Sequence, residues 1–175
     1  MSPAERLRIR PARTADVRAI RRLVDTYAPD RRLLSKATVT LYEAVPEFVV
    51  GELDGEVVGC GAVHVFWEDL AEVRTVAVDP AYIGKGVGSV LMAGLIARAR
   101  ELGVARLFCL TFETEFFSRH GFVEIEGTPV DHDVFEQLLR SYDEGVAEFL
   151  DLERVKPNTL GNTRMLLDLA KESHG

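Results

Sequence analysis

The chain has 175 residues, of which 47% are hydrophobic and 28% are charged, and this length suits one well-cored domain rather than two. Its net charge of −7 argues against nucleic acid and anionic membranes as partners, because both repel an acidic protein. The sequence lacks an apolar signal core and any apolar run of about eighteen residues, so we expect a cytoplasmic protein.

Cysteine and histidine usage gives no sign of a metal centre. Cys60 and Cys109 lie in strand-like runs, and we interpret them as core thiols rather than as a disulfide or metal ligands. The four histidines show no ligand spacing. We therefore predict no metal cofactor.

The first part of the chain alternates short strands and amphipathic helices. The predicted elements are a strand at residues 7–10, a helix over residues 17–27 that Thr14 and Asp16 can cap, a short helix at about residues 38–44, and strands at residues 48–53 and 57–66. The dipeptide Asp54-Gly55 between the last two strands is typical of a hairpin turn.

The central stretch predicts a strand, a glycine loop and a helix. Residues 73–78 form a mostly β-branched run that Asp79-Pro80 ends, and residues 87–102 show helical apolar spacing. The loop consists of Gly84, Lys85, Gly86, Val87, Gly88 and Ser89. Glycines permit positive φ and close approach of backbone N–H groups, and the helix start adds unpaired donors, so we predict a pyrophosphate cradle.

Other readings of this loop remain open or fail on spacing. A glycine-rich turn without any ligand has the same sequence pattern. A dinucleotide-binding motif requires G-x-G-x-x-G directly after the strand, whereas a five-residue link precedes the glycines here. The Walker A pattern is excluded because no Gly-Lys-Ser/Thr occurs.

The rest of the chain continues with alternating elements. The predicted elements are a strand at residues 105–110, a helix at residues 115–120 that Gly121 ends, a strand at residues 122–125, a helix at residues 133–142, a further helix that begins near Val146, a loop at residues 156–158, a strand at residues 165–169 and a frayed segment at residues 171–175.

The glycine loop resembles the acetyl-CoA motif of the GNAT acetyltransferases, V-x-P-x-Y/F-R/Q-G-x-G-x-G, with Ile83 at the position that usually holds Arg or Gln. The run FSRHGF at residues 117–122 resembles the Y-x-x-x-G-F signature of the family, with Phe117 in place of the tyrosine. The resemblance implies a single GNAT domain over residues 1–175, of α+β class, with a mixed twisted sheet, helices on both faces and a splayed central strand.

A closer resemblance exists to the acetyltransferase domain of the N-acetylglutamate synthases, through LLSKATVTLYE, AEVRTVAVDP, RLFCLTFETEFFSRHGF and NTRMLL. The chain looks most like their short stand-alone actinobacterial form. This resemblance implies acetyl-CoA as co-substrate, L-glutamate as acceptor with L-glutamine as a second one, and the first step of arginine synthesis. Arginine is the candidate feedback effector, and a homodimer is the candidate assembly.

The same resemblance assigns the catalytic roles. Glu72 stands where the synthases have their base, although a solvated strand-end carboxylate is the alternative. Arg74 lies on the same face, where it could bind the carboxylate of the substrate or pair with Glu72. Backbone N–H groups around Thr75 to Val78 would polarise the thioester carbonyl. Thr111 is the candidate acid, or a cap of the next helix.

Further contacts are assigned by position. The cofactor residues are Val76, Val78, the loop from Gly84 to Ser89, Phe117 and Arg119, of which Arg119 could also be merely solvated. The substrate residues are Lys36, Arg74, Thr75, Asn162 and Thr163. Gly161 stands where some synthases have an arginine that reads the side-chain carboxylate, which is why glutamine is retained as an acceptor.

Two other functions remain open from the sequence. The same fold could act on another amine, such as a peptide N-terminus or a small molecule. A non-catalytic regulator that binds acyl-CoA or arginine is the third possibility, since Ile83 and Phe117 depart from the family pattern.

Overall fold

The computed structural model describes residues 1–27 and 37–172. Its helices are α1 (Pro3–Arg6), α2 (Val17–Tyr27), α3 (Thr38–Glu43), α4 (Val87–Leu102), α5 (Thr114–Arg119), α6 (His132–Leu138), α7 (Glu144–Phe149), α8 (Lys156–Thr159) and α9 (Leu169–Glu172). Its strands are β1 (Arg8–Pro11), β2 (Phe48–Leu53), β3 (Glu56–Trp67), β4 (Leu70–Val78), β5 (Arg106–Thr111), β6 (Val123–Glu124) and β7 (Thr163–Asp168).

The strands of the described residues form a seven-stranded sheet in the order β1-β2-β3-β4-β5-β7-β6. β4 runs parallel to β5, whereas the pairs β1/β2, β2/β3, β5/β7 and β6/β7 are antiparallel. The mixed sheet predicted from the sequence is therefore confirmed.

Contacts between Cα atoms divide the chain into two compact units. The first unit comprises Met1–His64 and Val73–Glu101, and the second comprises Val65–Glu72 and Leu102–Gly175. The single acetyltransferase domain over residues 1–175 stays a prediction.

The first unit buries apolar side chains on both faces of its strands. One cluster joins the apolar stripe of α2 to Leu41 of α3 and to Val57 of β3, and a second cluster joins Val58 of β3 to Val87 at the start of α4. Consecutive side chains of a strand point to opposite faces, so Val57 and Val58 place the two clusters on opposite sides of the sheet. Helices therefore cover both faces of this unit.

Close packing of α4 depends on small residues beneath it. A Cβ on Gly61 of β3 would lie 2.6 Å from Cδ1 of Leu95, and one on Gly94 would lie 2.6 Å from Cγ2 of Ile9. Real Cβ atoms do not approach this closely, so glycine at these two positions sets how near α4 lies to β3 and β1. The position of the helix start, and with it the glycine loop, follows from this packing.

The helix that follows β1 is preceded by Asp16, one of the two residues predicted to cap it. Asp16, rather than Thr14, organises the start of α2: its carboxylate accepts hydrogen bonds from the Arg13 N–H at 2.7 Å and from Arg10 at 2.8 and 3.0 Å. The bond from Arg10 and the Arg13 N–H lower the pKa of Asp16 below its usual value, although burial opposes this shift. The ionised carboxylate therefore stabilises the fold.

The second unit packs around aromatic rings. Phe66 of β3, Phe108 of β5 and Phe149 of α7 pack together, with the centroids of Phe108 and Phe149 5.1 Å apart in an edge-on arrangement. Leu70 of β4 and Leu138 of α6 complete this core.

One arginine holds the segment between β6 and β7 in place. The guanidinium of Arg164 donates to the carbonyl oxygens of Glu148, Phe149 and Gly127 at 2.7 to 2.8 Å and lies 5.3 Å from the ring centroid of Phe108. Burial lowers the pKa of Arg164 from its ordinary value, which is far above neutrality. Its charge is thus satisfied largely by main-chain groups.

One prediction of local structure is wrong, one differs from the structure over part of its range, and one helix was not predicted. Residues 156–158 lie in helix α8 rather than in a loop, because proline is tolerated in the first turn of a helix. Lys171, the first residue of the predicted frayed segment, lies in α9 (Leu169–Glu172), and residues 173–175 of that segment lie outside the described residues. Helix α1, which Ser2 caps reciprocally with Glu5, was not predicted.

Both cysteines are free and buried, as expected of core thiols. Burial raises the pKa of Cys60 to about 12. Among the described helices, none is both long enough and apolar enough to cross a membrane.

Candidate active site

The glycine loop has the predicted form of strand, turn and helix. β4 ends at Val78, the Asp79 carboxylate accepts a hydrogen bond from the Ala81 N–H at 3.0 Å, and a 3-10 turn spans Pro80–Tyr82. Gly84 has φ +79° and Gly86 has φ +82°, values that glycine adopts without strain. The predicted positive φ is thus confirmed at these two glycines.

The start of α4 presents main-chain donors. The Val90 N–H donates to the Gly86 carbonyl at 3.2 Å as the helix begins, so the N–H groups of Val87, Gly88 and Ser89 precede the first helical bonds. Together with the positive end of the helix dipole they can hold an anion. The Lys85 ammonium lies 5.7 Å from the ring centroid of Tyr82 and adds a cation beside these donors.

The end of β4 offers a second row of donors. The Asp79 N–H donates to the Val58 carbonyl at 2.8 Å, which faces β3, and main-chain groups alternate in direction along a strand. The N–H groups of Val76 and Val78 therefore face away from β3. In the described residues, the ladder between β4 and β5 covers only Leu70, Ala71 and Glu72, so it does not use these donors.

Tyr27 is a contact that the sequence did not reveal. Its hydroxyl donates to the Val78 carbonyl, on the side of β4 that faces away from β3. The residue falls on the apolar face of α2, so its spacing indicated only a core position. The one hint in the sequence was the position of Tyr27 at the end of the predicted helix, where a tyrosine hydroxyl can reach a neighbouring element.

Thr75 interrupts β4. It has φ +57°, which is uncommon and costly for a β-branched residue, and it is 7% exposed. The Cys60 thiol donates to the Thr75 carbonyl at 3.5 Å. Strain of this kind tends to occur at functional sites, and here it directly precedes the donors of Val76 and Val78.

Glu72 is buried, with 4% of its surface exposed. This burial rules out the interpretation as a solvated strand-end carboxylate. It pairs in register with Phe108 as the last residue of the β4/β5 ladder. Burial, and then the negative charge of Glu72, raise the pKa of Cys109 well above its ordinary value. Arg74, two residues on, is half-buried, and its role stays a prediction.

Thr111 ends β5 directly opposite Thr163 of β7. Its Oγ1 accepts a hydrogen bond from the Glu113 N–H at 2.8 Å, a side-chain turn just before α5 rather than a cap of the helix itself. Because the oxygen acts as the acceptor, the hydroxyl proton remains available for donation. Asn162, next to Thr163, is half-buried.

The remaining predicted residues differ in exposure. Phe117 is 6% exposed and packs edge-on against Phe122 at 5.1 Å between centroids, which makes it part of the core. Arg119 is exposed at the end of α5. Lys36 lies outside the described residues. Within the described residues, no group of three or more metal-ligating side chains occurs.

The candidate residues fall into one set in each unit. The first unit holds Arg74, Thr75, Val76, Val78 and the glycine loop, and the second holds Glu72, Thr111, Phe117, Arg119, Asn162 and Thr163. The main-chain N–H groups of the first set can bind an acyl carrier that contains a diphosphate. The second set supplies a buried carboxylate and hydroxyl groups.

Comparison with known proteins settles the family. Residues 17–122 match the Acetyltransferase (GNAT) family. The chain belongs to this family. This chain is 63% identical to the amino-acid acetyltransferase of Mycobacterium tuberculosis over 164 residues. The matched residues cover 92% of this chain and 94% of that relative.

Solved structures agree with this assignment. The Rv2747 protein of Mycobacterium tuberculosis, in complex with CoA and NLQ, matches with a TM-score of 0.89 at 63% identity, over 93% of this chain and 99% of that one. The N-acetylglutamate synthase of Neisseria gonorrhoeae, complexed with coenzyme A and N-acetyl-glutamate, matches with a TM-score of 0.75 at 25% identity. The match covers 93% of this chain but 35% of that synthase.

These matches confirm the predicted GNAT fold and an enzyme of the acetyltransferase class, and the matched structures from Mycobacterium tuberculosis and Neisseria gonorrhoeae contain CoA. Some similar proteins are much longer than this chain. The amino-acid acetyltransferase of Aeromonas salmonicida is 34% identical over 127 residues, which cover 29% of its length.

Proposed function

We propose that this GNAT enzyme transfers the acetyl group of acetyl-CoA to the α-amino group of L-glutamate, with L-glutamine as a second acceptor, as the first step of arginine synthesis. The observation that carries the proposal is Glu72, a buried carboxylate at the last residue of β4 that pairs with β5. The likeness to an N-acetylglutamate synthase supports the choice of acceptor.

Glu72 is the proposed base. The α-amino group is mostly ammonium at neutral pH, so it must lose a proton before its nitrogen can attack. A carboxylate that is ionised and buried can take this proton, directly or through water. Activity should therefore fall at low pH, where a protonated base cannot accept the proton.

The main chain of β4 and the glycine loop are the proposed acetyl-CoA site. The pyrophosphate would bind the N–H groups at the start of α4, and the acyl-pantetheine arm would bind those of Val76 and Val78. An N–H from the strand just after Thr75 would also polarise the thioester carbonyl, because negative charge develops on that oxygen in the transition state.

The chemical step balances with these groups. The amine nitrogen forms a bond to the carbonyl carbon, the carbon–sulfur bond breaks, and the electron pair leaves with the CoA sulfur. One ammonium proton passes to Glu72 before the attack, and the nitrogen loses a second proton as the amide forms. The hydroxyl of Thr111 is the proposed proton donor to the thiolate, since Phe117 has no hydroxyl, and the second nitrogen proton restores that hydroxyl through water. Arg74, Asn162 and Thr163, with Lys36, are proposed to hold the carboxylates of the acceptor.

Replacement of Glu72 by glutamine tests the base. Glu72→Gln should lower turnover by roughly 10²–10⁴-fold and remove the acidic limb of the pH–rate profile. Acetyl-CoA affinity, measured by calorimetry, should stay unchanged, because main-chain groups bind the cofactor. Glu56→Gln, at an exposed position of β3, is the matched control and should behave as the unmodified enzyme. Wild-type turnover and pH profile in Glu72→Gln would show that another group removes the proton.

A thiol-release assay tests the acceptor. The panel contains the twenty amino acids, polyamines and peptides, and glutamate and glutamine should turn over fastest. Turnover of another amine with both of these inert would keep the family and overturn the substrate. Acetyl-CoA binding without turnover of any amine would favour a regulator. Arginine added to the same assay tests the candidate effector, and light scattering of the enzyme tests the candidate homodimer.

A further inference from the structure

A cavity in the second unit is lined by residues that are not among those proposed for acetyl transfer. It has a volume of about 390 Å³, which is within the range of small-molecule sites. It is formed by the turn between β3 and β4, the start of β5, and the loop that leads into α6. Four of its lining residues are charged: Glu68, Asp69, Arg106 and Asp131.

Hydrogen bonds fix the walls of this cavity. Arg106 donates from Nε to Asp69 Oδ2 at 3.2 Å, and its Nη2 lies 3.1 Å from the same oxygen. Its Nη1 donates to the Pro129 carbonyl at 2.6 Å. The Asp69 carbonyl in turn accepts the N–H groups of Ala105 and Arg106. One arginine thus ties the β3/β4 turn to the loop at Pro129, so the cavity exists before any ligand binds.

The charges that remain in the cavity are negative. The Arg106 guanidinium is matched by Asp69, which leaves the carboxylates of Glu68 and Asp131. Asp131 uses Oδ1 to accept the Val134 N–H at 3.2 Å, and its second oxygen is available to a ligand. The wall therefore favours a cation and disfavours a carboxylate.

The other wall is apolar and aromatic. Trp67 lines the cavity with 37% of its surface exposed, and Val130 and Val134 lie beside it. The face of an indole ring attracts ammonium and guanidinium groups, and valine side chains pack against aliphatic stems. A cation that carries a short hydrocarbon stem satisfies both walls at once.

We propose that this cavity binds a small organic cation, an ammonium or guanidinium group on an aliphatic stem. Agmatine fits this description, and arginine fits it less well because its carboxylate would face Glu68 and Asp131. The proposal does not depend on the acetyl acceptor, since none of the lining residues belongs to the proposed catalytic or substrate sets.

Trp67 reports binding directly, because it is the only tryptophan of the chain. Agmatine added to the full-length enzyme should change the tryptophan fluorescence to saturation. Arginine should bind more weakly, and citrulline, which replaces the guanidinium by a neutral group, should leave the signal unchanged at the same concentrations. Added salt should weaken the response to agmatine. An equal response to citrulline and agmatine, or none to agmatine, would overturn the proposal.

Variants distinguish this site from general attraction of cations to an acidic protein. Glu68→Gln should raise the Kd of agmatine about fivefold, and the double change with Asp131→Asn should raise it further, since asparagine still caps α6. Glu56→Gln removes an equal charge from the first unit and should leave the Kd unchanged. Equal effects of Glu68→Gln and Glu56→Gln would refute the site. Calorimetry repeats the measurement, and circular dichroism confirms that each variant is folded.

Discussion

Gly88 is the most informative position in the glycine loop. It is the second residue of α4 and has helical geometry, so a side chain can be added there without the strain that affects Gly84 and Gly86. Glycine is about 1 kcal/mol less favourable than alanine in a helix, and valine lies between the two. Gly88→Val should therefore change the free energy of unfolding by less than about 0.5 kcal/mol, a shift in Tm within about 2 °C.

The effect on cofactor binding should be far larger. A bulky side chain at Gly88 would keep the diphosphate from the N–H groups at the helix start, and each hydrogen bond to a charged group contributes about 1.5–3 kcal/mol. Loss of two such bonds raises the Kd of acetyl-CoA by about 10²–10⁴-fold. Calorimetry gives the Kd, and thermal unfolding gives the Tm of the same preparation.

Gly86→Ala, unlike Gly88→Val, should lower stability through backbone strain. The φ of +82° at Gly86 costs alanine about 1–2 kcal/mol, which lowers Tm by about 2–8 °C, and the new Cβ would lie 3.2 Å from that of Ala4 in α1. Gly127→Ala has φ +75° with open space around it, so it should lose similar stability and bind acetyl-CoA normally. Normal acetyl-CoA affinity in a folded Gly88→Val variant would refute the loop as the diphosphate site.

Three further predictions concern other parts of the molecule. Thr111→Val should lower turnover strongly with little loss of stability if the hydroxyl is the acid, whereas lower stability with normal turnover would indicate that only the turn before α5 needs it. Gly61→Ala should lower the free energy of unfolding in urea by about 1–3 kcal/mol, because its Cβ would lie 2.6 Å from a leucine of α4. Gly59→Ala, whose Cβ would lie 3.4 Å from its nearest neighbour, should lower it less, and equal losses would contradict the packing argument. Ionised Asp16 stabilises the fold above its ordinary pKa, and this stability is lost as the pH falls through its lowered folded pKa. Asp16→Asn should therefore lower stability at pH 7 and flatten the acid limb of the Tm profile, and an unchanged limb would show that Asp16 does not contribute.

Local patterns predicted the elements that carry the site. The apolar spacing of residues 87–102 matches α4 to the residue, and Asp54-Gly55 forms the hairpin turn, with φ of +51° and +87°. The glycine loop was also predictable, because positive φ is encoded by the glycines themselves.

Other features had no local signal. The left-handed conformation of Thr75 could not be predicted from the sequence, because β-branched residues favour extended backbone and the surrounding sheet imposes this one. The bond from Tyr27 to Val78 joins residues far apart in sequence, and the cavity beside Trp67 is assembled from three separate segments. Burial of Glu72 likewise depends on neighbours that the sequence does not identify.

The way in which Arg164 binds its neighbours has a consequence for how the enzyme can be redesigned. Its three acceptors are main-chain carbonyls, which every amino acid provides, so the exposed side chains around Gly127 and Glu148 can change without loss of the anchor. The exposed positions of the segment between β6 and β7 are therefore a natural place for loop grafting or randomised libraries, provided that the arginine, the Phe108 ring beneath it and the core residues Leu138 and Phe149 are kept. Lysine could not replace this arginine, because one ammonium lacks the fork of donors that reaches all three carbonyls.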